Sequence, residues 1–371
     1  MRIDFRVIPL ILALMSISLL IISSYSVPHV GEAADEPFFT ARTLAQLKWF
    51  VIGWGVFFLA ASFDYNRLRE WAWFLYVFAL IALIGLFFTS SIQRVHRWYR
   101  LPLVNISLQP SELAKLIVVI TLSWFLERAS SRPHSLSRAF FGGLIVLIPF
   151  ILILKQPDLG SALVLYPIAL VMFYFGNVHP KVVQLMGWSA LLALTFILSI
   201  FSQIVPIEKV RSFTSLFLKE YQMDRLDPTT HHNRASCTAI SMGGVTGLGW
   251  RGSEFTARGW LPTPDTDSVF PSFGEEFGLV GLVALLALFY SLIFFSFQVT
   301  AVAKDEFGRL LSAGITVYLA MHIMINIGMM CGLLPITGVP LVLISYGGSS
   351  ILSTMAALGL LQSIYSRRFM F

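Results

Sequence analysis

The stretch LPTPDTDSVFPSFGEEFG, residues 261–278, holds four carboxylates, Asp265, Asp267, Glu275 and Glu276, in a chain of which only 12% is charged. A carboxylate can take a proton from an attacking hydroxyl, but only if desolvation or a nearby like charge lifts its pKa toward neutrality. The grouping supplies the like charges. Asp265 or Asp267 could equally cap the helix that follows, and a helix N-terminus lowers a carboxylate pKa, so spacing alone leaves open which of the four works. Glu275 and Glu276 fall a turn or two into that helix, where buried support or loop anchoring suits them better.

Other polar groups stand apart from the apolar background. RVHRWYRLPLVNISLQPSE, residues 94–112, offers Arg94, Arg97 and Arg100, three guanidiniums that could meet an anion, with Trp98 and Tyr99 suited to a membrane interface. QPSELAK follows at 109–115, with Pro110 fit for a first helical turn and Glu112 and Lys115 on one face three residues apart. Such a pair entering a membrane helix is either a structural ion pair or the lining of a polar site. KQPDLGSA at 155–162 repeats the theme with Lys155 and Asp158. The glycines at 243, 244, 247, 249 and 252 permit tight turns and close backbone approach to a ligand, and they serve purely geometric turns as well. They lack the Gly-Lys-Ser/Thr of a phosphate-binding loop.

These residues must be positioned by membrane helices. The chain has 371 residues, 56% of them hydrophobic, and a mean hydropathy of +0.77, which excludes an ordinary soluble globular protein. About ten apolar stretches are long enough to cross a bilayer, in which every backbone amide must be paired. They fall near 7–26, 46–62, 70–90, 112–127, 139–154, 159–176, 181–205, 270–299, 309–332 and 342–366. The expected fold is an all-α polytopic membrane protein, a single integral membrane domain over 1–371, with a long extracytoplasmic loop at 206–269 between the seventh and eighth crossings. Arg2 and Arg6 before an apolar run imitate a signal peptide, but residues 28–31 offer no convincing cleavage site and a retained first helix is expected.

Lys and Arg set the orientation. One set of connections carries Arg2, Arg6, Arg67, Arg69, Arg128, Arg132, Arg138, Lys181, Lys304, Arg309, Arg367 and Arg368, whereas 333–341 carries none, so both termini are expected on the cytoplasmic side of the inner membrane. The formal net charge of +6 suits anionic lipid and is too dispersed for nucleic acid. Cys237 and Cys331 are too few for a disulfide framework or a metal site and are expected to be packing residues. No cofactor is expected; a divalent cation could screen a pyrophosphate, although His231 and His232 are adjacent rather than convergently spaced with the acids.

Arg97-Trp98, QPSELAK, QPDLGSA, AISMGGVTGLGW at 239–250, LPTPDTDSVF at 261–270, GEEFGLVG at 274–281 and NIGMMCGLLPITGVPLVLISYGGSS at 326–350 follow one another in the order of a known pattern. The chain resembles the SEDS family of cell-wall synthases over essentially its whole length. Its compact length and short tails suit the elongation branch rather than the division branch. The resemblance implies a peptidoglycan glycosyltransferase that polymerises lipid II into glycan strands outside the cytoplasmic membrane and releases undecaprenyl pyrophosphate. Its partners would be a class B penicillin-binding protein and the elongation machinery. Asp267 matches the family's critical aspartate. Glu112, Lys115 and Asp158 match its membrane polar residues, and Arg211 and Ser236 match positions of the long loop. Thr263, Ala235 and Ser268 depart from the usual pattern. Two other classes remain: a lipid II translocase and a noncatalytic scaffold that activates the penicillin-binding protein. The polar candidates gather on the outer side without a matching inner path, which argues against the translocase.

Overall fold

The computed structural model describes residues 4–25, 38–89, 97–101, 106–128, 135–207 and 225–368. Among them are ten long helices: α1 (Val7–Tyr25), α2 (Ala41–Ser62), α3 (Leu68–Gly85), α4 (Pro110–Arg128), α5 (Leu136–Lys155), α6 (Leu159–Phe175) and α7 (Pro180–Phe201), then α10 (Val269–Val302), α11 (Glu306–Met330) and α12 (Gly348–Ser366). Two shorter helices, α8 (His231–Gly243) and α9 (Glu254–Ala257), lie in the long connection before α10. Seven helices, α1, α2, α3 with its flanking turns, α5, α7, α10 and α11, are long and apolar enough to cross a membrane. The chain is an all-α polytopic membrane protein.

Each long helix matches one apolar stretch of the sequence. The last one starts at Gly348 rather than near 342, because 341–347 forms turns whose amides bond elsewhere: Ser345 N reaches Leu341 O at 3.0 Å and Tyr346 N reaches Asp265 O at 2.8 Å. The connection between α3 and α4 contains an antiparallel hairpin of β1 (Tyr99–Leu101) and β2 (Ile106–Leu108), pairing Arg100 with Ser107.

Helix α11 forms the centre. It packs on α10, α6, α4 and α12, and buries most of its length. α12 lies along α2, and α7 stands at the edge against α6 with only Ile200 and Phe201 buried. At the end of the bundle near the α10–α11 turn, Asp305 accepts from Tyr65 Oη at 2.6 Å and pairs with Arg69, which also binds Glu127 at 2.9 Å.

α10 is broken. Gly278 adopts φ 62° and ψ −164°, a conformation open in practice only to glycine. The break frees backbone groups that pair with the glycine-rich run: Leu248 N and Gly249 N donate to the carbonyls of Glu275 and Glu276 at 3.1 and 2.9 Å, and Leu279 N donates to Gly244 O at 2.9 Å. A Cβ on Gly278 would lie 2.3 Å from Gly247 N. Gly243 and Gly247 are the members of the run that approach the α10 backbone closely, at Gly274 O and Glu276 O. The packing role expected for Cys237 and Cys331 is also corrected, since both thiols are free and exposed.

Candidate active site

The turn that carries the aspartates is closed by its own backbone, with Thr263 O accepting from Thr266 N at 3.2 Å and from Ser268 N at 3.1 Å. Its outer surface is clamped by residues far along the chain. Asn326 Nδ2 on α11 donates to Asp267 O at 3.0 Å and to Val339 O at 2.7 Å, and Ser345 Oγ donates to Thr266 O at 2.5 Å. The NIGMMCGLLPITGVPLVLISYGG segment is therefore the mould in which the acidic turn is set.

That setting separates the four carboxylates. Asp265 forms an ion pair with Arg42 of α2. Glu275 accepts from Phe255 N, Thr256 N and Thr256 Oγ1 at 2.8, 3.1 and 2.5 Å, fastening α9. Glu276 accepts from Ser24 Oγ and, at 3.3 Å, from Ser253 Oγ. No described side chain hydrogen-bonds or ion-pairs with the Asp267 carboxylate, whose Oδ2 lies 3.4 Å from the point a Cβ on Gly338 would occupy.

Asp267 lines a cavity of about 450 Å³ together with Trp49, Arg97, Trp98, Gln109 and the Gly347–Ser350 segment. Burial pushes its pKa up to about 6; Arg97 and Arg225 oppose the rise, while Asp158 and Asp265 add to it. Arg97 is held by the carbonyls of the QPD turn, Nε donating to Gln156 O at 3.2 Å and an NH2 group to Pro157 O. Behind that wall, Asp158 caps α6 through Ser161 N at 3.3 Å and accepts from Gln109 Nε2 and Ser111 Oγ at 3.0 and 3.1 Å. A carboxylate so fully bonded shapes the site rather than reacting in it.

The cavity's other wall is the start of α12. Gly347 caps this helix without a side-chain hydrogen bond, and Gly347–Ser350 line the cavity, so the positive end of the helix dipole borders it. Gly348 also lets the Trp49 indole press against the helix, since a Cβ there would lie 2.3 Å from Trp49 Cε2. Nothing in either segment's composition marks it as site lining, because the two meet only through the α2–α12 contact.

The remaining candidates separate. Glu112 and Lys115 pair at 2.7 Å, and Lys115 Nζ also donates to His322 Nε2 at 2.6 Å, while His322 Nδ1 donates to Tyr318 O at 2.7 Å. All three are buried between α4 and α11, outside the cavity lining, and Glu112 Oε2 accepts no hydrogen bond among the described residues, lying 3.9 Å from His322 Nε2. His322 went unnoticed in the sequence, being a lone histidine in an apolar run. Ser236 is buried on α8 against Met330 Sδ at 3.4 Å, away from the cavity lining. On the same helix His232 bonds Ser268 Oγ at 2.7 Å, its pKa lowered by burial and by His231. Arg94, Arg211 and the side chain of Arg100 lie outside the described residues.

The pattern of the FtsW, RodA and SpoVE cell cycle proteins matches residues 5–368. The chain belongs to the SEDS family. This SEDS chain is 30% identical over 378 residues to the peptidoglycan glycosyltransferase MrdB of Escherichia coli K12, covering 99% of itself and 94% of that protein. Its fold is similar to that of a chain from a peptidoglycan synthase complex that coordinates polymerization and crosslinking, with a TM-score of 0.77, 26% identity and full coverage of both chains. The rod shape determining protein RodA of Thermus thermophilus superposes with a TM-score of 0.70 at 26% identity, over 100% of this chain and 99% of that one.

Proposed function

We propose that this SEDS protein is a peptidoglycan glycosyltransferase that polymerises lipid II during cell elongation, with Asp267 as the general base. The observation that carries this reading is that Asp267 alone among the four clustered acids faces the cavity without a hydrogen-bonding or ion-pairing partner among the described residues. In the reaction, Asp267 takes the proton from the acceptor sugar hydroxyl, the freed oxygen attacks the anomeric carbon of the donor, and the bond to undecaprenyl pyrophosphate breaks. Negative charge then grows on the leaving pyrophosphate. Arg97 and the uncapped start of α12 share the cavity with Asp267 and oppose that charge. Trp49 and Trp98 offer aromatic faces to the sugar rings.

The ten long helices serve as ten crossings with both termini cytoplasmic, placing the cavity and the 206–269 loop on the outer face, where the substrate is used. A class B penicillin-binding protein binds the bundle and crosslinks the product. The closed burial of Glu112, Lys115 and His322 favours a polymerase over a translocase, which needs a polar path open to both faces in turn. Purified protein given labelled lipid II, with and without its partner, forms long glycans. Absence of polymer under both conditions, or translocation without polymerisation in proteoliposomes, overturns the assignment.

A further inference from the structure

Arg42 occupies an unusual place. It lies in the first turn of α2, where the helix dipole disfavours a cation, and Thr40 already caps that helix by accepting from Thr43 N at 3.3 Å. What holds Arg42 there is tertiary contact: its guanidinium pairs with Asp265, 223 positions away, and its Cζ lies 5.9 Å from the centre of the Tyr25 ring on α1. Among the described residues the Asp265 carboxylate pairs with no other side chain. Backbone bonds from Thr266, Ser268 and Tyr346 close and clamp the turn, and α10 starts at Ser268 with no side-chain cap. Asp265 is nonetheless buried, with its side chain 10% exposed against 53% for Arg42, so its charge requires a partner.

We propose that Arg42 is a positioning residue for the reaction: by pairing with Asp265 it fixes the aspartate turn against α2 and neutralises the carboxylate two residues from Asp267, so that Asp267 acts as base at a lower pH than it otherwise would. The inference rests on Asp267 being the base. Among the described residues, the charged groups that act on Asp267 are Arg97 from the segment before β1, Arg225 from the segment before α8, Asp158 at the start of α6, and Asp265 on its own turn. His232 approaches from α8 through Ser268 and is neutral near pH 7. Arg42 acts on this set only through Asp265. Losing Arg42 leaves Asp265 unopposed and raises the Asp267 pKa; losing the Asp265 charge lowers it. Because Arg42 is half exposed, solvent and salt screen the effect to about half a pH unit, roughly threefold in rate on the acid limb.

The test is the pH dependence of kcat/KM for lipid II polymerisation by the full-length protein with its penicillin-binding partner, comparing Arg42→Ala, Arg42→Lys, Asp265→Asn and Asp267→Asn. Arg42→Ala moves the acid limb to higher pH, Asp265→Asn moves it to lower pH, and Arg42→Lys stays near the parent. A clamp of purely mechanical kind lowers the rate in Arg42→Ala and Asp265→Asn without moving either limb, and that outcome overturns the proposal. So does a shift of both limbs in one direction. If Arg42→Ala fails to fold, the Asp265→Asn limb decides alone: a downward shift supports the proposal and an unmoved limb sinks it. Near-normal turnover by Asp267→Asn defeats the assignment of the base itself, a result separable from all of these.

Discussion

Among the described residues, Asp267 differs from its acidic neighbours in having no hydrogen-bonding or ion-pairing partner. Asp265, Glu275 and Glu276 are each bound by partners, and none of the three lines the cavity. Replacing Asp267 by Asn keeps the size and removes the base, and general-base catalysis contributes about 10²–10⁴-fold, so polymerisation falls by that factor while membrane insertion and partner binding persist. Near-normal glycan synthesis by this variant would refute the role. The pH profile supplies an independent check. With a pKa of about 6, Asp267 is ionised and competent above that pH and protonated below it. The rate should therefore drop about tenfold per unit below pH 6, whereas an ordinary exposed aspartate would hold activity down to about pH 4. The family pattern pointed to Asp267 from the sequence. Spacing could not, because the partners that disqualify the other three come from α1, α2 and the loop around α9.

At the scale of elements, two devices hold the site in shape. The break at Gly278 joins α10 to the glycine-rich run; Gly278→Ala forces a side chain into a conformation that costs about 1–3 kcal/mol and into the Gly247 backbone. The variant should unfold at a lower temperature in detergent than the parent, while Gly55→Ala, with nothing within 4 Å of the added Cβ, should not. The second device is the buried Glu112–Lys115–His322 chain. Lys115→Met strands the Glu112 charge and should cost about 3–5 kcal/mol, with the Glu112→Gln, Lys115→Met double variant recovering part of the loss. Equal stability of the single and double variants would show that the pair is not coupled. The Glu-Lys spacing was legible in the sequence; His322 was not, because its contact with Lys115 spans 207 residues.

For the whole molecule, orientation can be read from its own cysteines. Cys237 is free and exposed on α8, which the proposed topology places outside. A membrane-impermeant maleimide added to intact spheroplasts should label it, and labelling only after permeabilisation would reverse the orientation. The apolar runs and the ordered motifs made the bundle and the family readable without coordinates, because burial in lipid and backbone pairing act on each segment separately. Only the tertiary structure decided which side chains share the cavity. Trp49 on α2, Arg97 before β1, Asp267 before α10 and the start of α12 are brought together by packing between distant helices, and among the described residues that packing engages three of the carboxylates and sets the fourth in the cavity wall.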